Sequence, residues 1–222
     1  MGAGKKLAAA AGAQAAPKIG WSFVRQALDK AIDGIGPLRS AAESATTHMV
    51  DARGDVEAAI RTLTRTHVAL AGAQGFVTNL GGVATVPVTV PANVAGVTLL
   101  QAHLVAGIAH LRGYDLDDPR VRNAILTCML GEDKVREMLK RHSLPAPPMG
   151  IATAPTHDPE LDRLVASELT GELVARTVGR RAVTLMARRV PGIGGVVAGG
   201  TDAYQTRQIG QYAATELRDR RL

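Results

Sequence analysis

Apolar residues recur three or four positions apart through most of the chain, which is the spacing of one face of a helix. Residues 21–32 form the first such face, and glycines followed by Pro37 end it. We expect a second helix to begin near Pro37. Residues 55–75 form a third face, which opens with two acidic residues in its first turn and places His67 among its apolar positions.

An uncharged run is the most unusual feature of the sequence. No Asp, Glu, Lys or Arg occurs in the 46 residues from Thr66 to Leu111. A membrane-spanning helix needs about 20 mainly apolar residues, but prolines, glycines, asparagines and histidines interrupt this run. The pattern therefore favours a buried or interfacial helical hairpin over a membrane span, with its second helix running from Pro91 to about Arg112.

The second half of the chain continues with helical patterns and clear stop signals. Asp117 or Asp118 can cap a helix that has Pro119 in its first turn. A short helix follows over 132–141, and then a proline-rich connector near 144–159, which is the best candidate for a boundary or a mobile loop.

The C-terminal third predicts two more helices and completes the fold class. One covers 161–189, and Pro191 separates it from a glycine-rich helix that becomes more polar toward residue 218. We predict an all-α fold: a compact multi-helix bundle with an apolar central helical hairpin and a Gly-rich C-terminal helix. Residues 1–18 are expected to be a flexible basic arm, and 19–222 a single helical domain.

Composition places this domain in a reducing compartment. Cys128 is the only cysteine, so an intramolecular disulfide is excluded, and its apolar surroundings predict a buried, inert thiol. The N-terminus begins with basic residues but lacks the strongly apolar middle of a signal peptide. We therefore predict a cytoplasmic protein.

The charge distribution points to an anionic partner. The formal net charge is +6, and arginines cluster beside the glycine-rich segment and near the C-terminus. This arrangement is typical of a helix edge that rests on lipid headgroups. Aromatic residues make up only 3% of the chain, and no helix has the pattern of a base-reading element, so nucleic acid is not the expected partner.

Two predicted helices carry stripes of small and polar residues, and we expect these stripes to face each other. The polar members are Asn93, His103, His110 and Tyr114 on the first helix, and Asp202 and Thr206 on the second. One interpretation is a buried site in which His103 or His110 exchanges protons, oriented by Asp202, while Asn93, Tyr114 and Thr206 bind a ligand. The other is a structural hydrogen-bond network that binds nothing.

Other chemistry is weakly indicated. Asp115, Asp117 and Asp118 match the four-residue D-x-D-D pattern by which some terpene cyclases protonate an alkene, but helix capping explains the same acids. His103 and His110 are two helical turns apart, about 10 Å, which is too far for two ligands of one metal ion. No metal and no cofactor are predicted.

Two stretches resemble the EcsC family of bacterial proteins. The first runs from Val90-Pro91-Ala92-Asn93-Val94 to Tyr114-Asp115-Leu116, and the second runs from Val190-Pro191-Gly192 to Thr206-Arg207-Gln208-Ile209-Gly210. The resemblance covers residues 55–217. It implies a place near a membrane or lipid, because the founding member of the family is linked with a membrane ABC transporter locus that affects secretion, but it supplies no catalytic residues.

Two functions are therefore considered. The first is an EcsC-like accessory protein that associates peripherally with the inner face of the cell membrane or binds lipid. Its partner would be an anionic lipid surface or a hydrophobic small molecule, and a homo-oligomer is left open. The second is a small helical enzyme that acts on an acyl or isoprenoid (terpene-type) substrate, with His and Asp acid–base groups in a buried pocket.

Overall fold

A computed structural model describes residues 21–73, 92–187 and 194–220, with the side chains of 92–93, 177–187 and 194–199 excepted. These ranges contain nine helices and no strand. In chain order the helices are α1 (21–33), α2 (Ala41–Asp51), α3 (Val56–Gly72), α4 (Ala92–Leu111), α5 (Pro119–Leu130), α6 (Glu132–Lys140), α7 (Pro148–Ala152), α8 (Pro159–Ala187) and α9 (Gly194–Glu216). The predicted all-α bundle is confirmed.

Polar side chains set where three of the helices begin. Asp55 accepts a hydrogen bond from the third residue of α3, and Asp118 caps α5, which has Pro119 at its start. Ser40 and Glu43 form a reciprocal capping box at the start of α2. The predicted start near Pro37 is therefore a few residues too early, because Pro37 lies in a tight turn before this box.

Helix α4 is the centre of the bundle and packs against α2, α3, α5 and α9. Leu104, Val105 and Ile108 are fully buried. Residues Val94–Leu111 are long and apolar enough to cross a membrane by length and composition, yet 89% of this window is buried inside the fold. A core helix that contacts neighbours on several sides is expected to be apolar all round.

Contacts between helices fix their relative directions. On α3 and α4, His67 pairs with His103 and Leu63 lies against Gly107, so the two helices run antiparallel. On α4 and α9, Gln101 pairs with Thr206 and Leu104 lies against Gly210, so these two run parallel. The end of α3 and the beginnings of α4 and α9 consequently lie at the same end of the bundle.

The proline-rich connector is packed onto the core. It contains the short helix α7, which was not predicted and which contacts α5. Leu144, Pro148 and Ile151 are buried. The antiparallel α3–α4 pair forms the described part of the predicted hairpin, whereas residues 74–91 and the predicted arm, 1–18, lie outside the described residues.

Two helical glycines give a matched test of packing on α9 and α8. A methyl group at Gly210 would stand 3.0 Å from Leu104 Cδ2 and from Thr64 Cγ2, whereas a methyl group at Gly171 would meet nothing within 4 Å. We expect Gly210→Ala to lower the free energy of unfolding by roughly 1–3 kcal/mol through overpacking. Gly171→Ala should raise it by roughly 0.5–1 kcal/mol, because alanine favours the helix. Urea denaturation of the two variants measures both, and equal effects would contradict the packing of α9.

Candidate functional site

Two buried histidines meet between α3 and α4. Nε2 of His67 lies 2.8 Å from Nδ1 of His103. The other ring nitrogens face carbonyl oxygens: Nδ1 of His67 is 2.9 Å from that of Leu63, and Nε2 of His103 is 3.0 Å from that of Arg39. All four ring nitrogens therefore have a partner, and the pair links three parts of the chain.

Burial disfavours positive charge on both rings. It lowers the pKa of His67 to about 3, with the neighbouring His103 contributing in the same direction. Burial also lowers the pKa of His103, against the effect of the hydrogen bonds to the backbone at Arg39 and Ser40. His48 on α2 lowers both values further.

We expected the polar stripes of α4 and α9 to face each other, with His103 close to the polar residues of α9. The contacts of His103 and Thr206 differ from this expectation. Thr206 accepts a hydrogen bond from Gln101 Nε2 at 3.2 Å. Gln101 and His103 are two residues apart on a helix, so their side chains leave opposite sides of α4. His103 has no free ring nitrogen for Asp202, and the predicted pair of His103 with Asp202 is replaced by the pair with His67.

The remaining stripe residues are dispersed along α4 and α9. Asp202 is buried one turn before Thr206, and His110 is half-buried two turns after His103. Asn93 lies in α4, but its side chain is outside the described part of the chain. The assignment of these residues to catalysis or ligand binding stays a prediction.

Tyr114 lies beyond the C-terminal end of α4, about three turns from His103 along the chain. Its ring is buried, and the guanidinium of Arg220 stands over it at 5.8 Å. Burial raises the pKa of Tyr114, and its hydroxyl group has no hydrogen-bond partner among the described residues. Tyr114 thus packs with the C-terminal segment, which also bonds through Arg220 N–H to the Arg112 carbonyl.

The acidic run after Tyr114 is a capping structure. Asp118 accepts hydrogen bonds from the backbone and the guanidinium of Arg120, and the side-chain bond lowers the pKa of its carboxyl group. Asp115 accepts from the backbone N–H of Asp117, whose carboxylate pairs with Arg122 at 3.6 Å. A carboxyl group that protonates an alkene needs a raised pKa, so Asp118 does not have the property that the cyclase interpretation requires.

The structure contains a second polar cluster that the sequence patterns did not indicate. Asp162 on α8 contacts Arg25 of α1 at 2.8 Å, His157 Nε2 at 2.8 Å and Asn123 Nδ2 of α5 at 2.6 Å. These groups and the hydrogen bond from Trp21 to the Asp162 carbonyl hold α1 against α5 and α8. The side-chain contacts of Asp162 therefore connect α8 to α1 through Arg25 and to α5 through Asn123.

Two small cavities flank the first half of α4. One is lined on α4 by Val97 and Gln101 and on α8 by Arg176, and the other by Phe23 of α1 and Ala95 of α4. Neither is lined by His103, His110 or Asp202. Within the described ranges, no group of three or more His, Cys, Asp or Glu side chains is placed to hold a metal ion.

Comparison with known proteins gives one match. The model of the EcsC protein family matches residues 54–222, which include every helix from α3 to α9. No curated protein and no solved structure matches the chain. The matched region contains His67 and His103 but not Arg39, whose carbonyl oxygen completes the histidine pair.

Proposed function

Because the chain belongs to the EcsC protein family, we propose that it is a peripheral membrane-associated or lipid-binding accessory protein. It would work at the inner face of the cell membrane, and its partner would be an anionic lipid surface. The proposal rests on the position of two connections in the bundle and on their amino-acid sequence.

The helix directions are the observation that carries this proposal. Residues 74–91 join the end of α3 to the beginning of α4, and residues 188–193 join α8 to the beginning of α9. Both connections start or finish at the same end of the bundle, since α4 and α9 run parallel. Residues 74–91 contain no charged side chain and include five valines and one leucine. An uncharged apolar connection and a glycine-rich one, which lead into helices that begin at the same end of the bundle, support contact with lipid there.

Because α4 is buried in the fold, its apolar residues are not assigned to contact with lipid. Because the apolar window Val94–Leu111 is used in the core, the proposal assigns lipid contact to residues 74–91 and 190–200. Arg188 and Arg189 are the first two residues of the second connection, and Arg180 and Arg181 lie about two helical turns earlier in the sequence of α8. Basic side chains near an anionic membrane surface each contribute about 1 kcal/mol of attraction.

The enzyme interpretation lacks comparable support. Its candidate acid–base group His103 is almost completely buried and has both ring nitrogens occupied. The cavities beside α4 do not reach His103 or Asp202. A reaction centre needs space for substrate next to the reacting groups, and neither of these two cavities provides it at His103 or Asp202.

Vesicle flotation with charged substitutions tests the proposal. We expect the full chain to float with anionic vesicles and less with neutral ones, and to be partly released by salt, which screens the headgroup attraction. Val83→Asp and Val86→Asp should each weaken flotation by roughly tenfold or more, because a buried carboxylate is costly in lipid. Val50→Asp is the matched control, since Val50 is 71% exposed on α2 and away from both connections in sequence.

Two results would contradict the assignment of lipid contact to residues 74–91. The first is a failure of the unmodified chain to float with either kind of vesicle. The second is equal flotation of the Val83→Asp, Val86→Asp and Val50→Asp proteins, which would show that residues 74–91 do not contact the membrane. Circular dichroism of each variant verifies that the helices are retained.

A further inference from the structure

The His67–His103 pair contains three short contacts but, when neutral, only two hydrogens to fill them. Each contact joins a ring nitrogen to another nitrogen or to a carbonyl oxygen, at 2.8, 2.9 and 3.0 Å. A carbonyl oxygen only accepts, so Nδ1 of His67 and Nε2 of His103 must both donate. The contact between the two rings needs a third hydrogen, whereas two neutral imidazoles carry one N–H each.

Every neutral arrangement therefore leaves one contact without its hydrogen. With N–H on Nδ1 of His67 and on Nε2 of His103, two lone pairs face each other across 2.8 Å between the rings. Moving the hydrogen of either ring to the central contact leaves a lone pair against the carbonyl oxygen of Leu63 or of Arg39. One added proton completes all three hydrogen bonds, and a second added proton would place two N–H groups against each other.

We propose that this pair is a one-proton binding site, in which an imidazolium at His103 donates to Nε2 of His67 and to the carbonyl oxygen of Arg39. The ligand is a proton, and the bound state is an imidazole–imidazolium pair held between α3, α4 and the segment before α2. This inference does not depend on lipid association. It makes the packing of α3 against α4 sensitive to acid.

The surrounding charges are compatible with a single proton. From α2 the titratable group is His48, whose Nδ1 is 2.8 Å from the Ser44 carbonyl oxygen. The segment before α2 contributes Arg39, whose side chain is exposed, and α4 itself contributes His110 two turns away. Helix α9, which packs on α3 and α4, carries the buried Asp202. His103 lowers the pKa of His67 by its charge, which opposes the second proton.

Ring-nitrogen NMR of the histidine-labelled full chain tests the inference without any substitution. As the pH is lowered from about 8 to about 4, which spans the ordinary histidine pKa, we expect His103 to acquire hydrogens on both ring nitrogens. His67 should keep its Nδ1–H and remain neutral, and a coupling should appear between Nε2 of His67 and Nδ1 of His103. A proton found on His67 Nε2 and shared with His103 also supports the site, because the same three bonds form.

Two other outcomes would overturn the proposed one-proton site. If both rings stay neutral down to the pH at which the protein unfolds, the pair binds no proton. If both become imidazolium rings together, they are independent groups and the one-proton site does not exist. His142→Asn is the control variant: it should remove the NMR signals of His142 and leave the titration of His67 and His103 unchanged. His142 is exposed, and its φ of 54° suits asparagine.

Discussion

The free energy of unfolding is expected to fall as the pH drops below about 6.5, by up to about 1.4 kcal/mol per pH unit for His67 alone. In the unfolded chain His67 takes up a proton near its ordinary pKa of 6.5, whereas burial keeps it neutral in the fold down to about pH 3. The unfolded state thus binds more protons between these values, so acid favours unfolding. By about pH 4 the loss should reach roughly 3 kcal/mol.

Urea denaturation at several pH values between 7 and 4 measures this effect, and His67→Gln isolates it. The variant should lose stability with acid less steeply than the parent, by about one proton per molecule. His142→Asn should keep the parent's slope, because His142 is exposed. Parallel curves for the parent and His67→Gln would contradict the expected difference of one proton.

Carboxyl groups also change the stability of the protein with pH, but they do not affect the comparison of the parent with His67→Gln. The lowered pKa values of Asp118 and Asp162 contribute stability that is lost only as acid titrates these groups, below the usual range of aspartate. Burial raises the pKa of Glu216, so protonation of Glu216 opposes the loss of stability near and above the usual glutamate range. Because both effects are present in the parent and in His67→Gln, they cancel in the difference of slopes.

Local chemistry was sufficient to predict most helix limits. Asp118 followed by Pro119 starts a helix by capping and by a preset backbone angle, and both depend only on neighbouring residues. The same reasoning failed at Pro37, because the competing capping box of Ser40 and Glu43 lies just beyond it. Cys128 was correctly predicted as a buried thiol, and burial raises its pKa.

The orientation of α4 could not be predicted, and the error in the candidate site follows from that. A helix that is apolar on all sides has no periodic signal to show which side meets which neighbour. Gln101 and His103 are equally plausible partners for α9 in the sequence, and it is Gln101 that donates a hydrogen bond to Thr206. The position of His67 could have indicated the histidine pair. His67 occupies an apolar face of α3, where a buried imidazole needs a hydrogen-bond partner.

Truncation of Leu63 is expected to destabilise the bundle by roughly 2–5 kcal/mol, because Leu63 is fully buried where α3 meets α4. Its Cδ2 lies 2.9 Å from the position that a methyl group on Gly107 would occupy. Val174→Ala is the surface control, since Val174 is 49% exposed on α8, and it should change stability by less than about 0.5 kcal/mol. Thermal or urea denaturation gives both values.

The close approach of Gly107 and Leu63 also predicts that their substitutions are not additive. Gly107→Ala alone forces the Leu63 side chain to move, so overpacking offsets the preference of alanine for a helix. In the Leu63→Ala protein the added methyl group has room, and Gly107→Ala should then recover roughly 0.5–3 kcal/mol relative to its effect in the parent. Additive effects would mean that α3 and α4 do not meet at these residues, and the antiparallel pair that brings His67 to His103 would be in doubt with them.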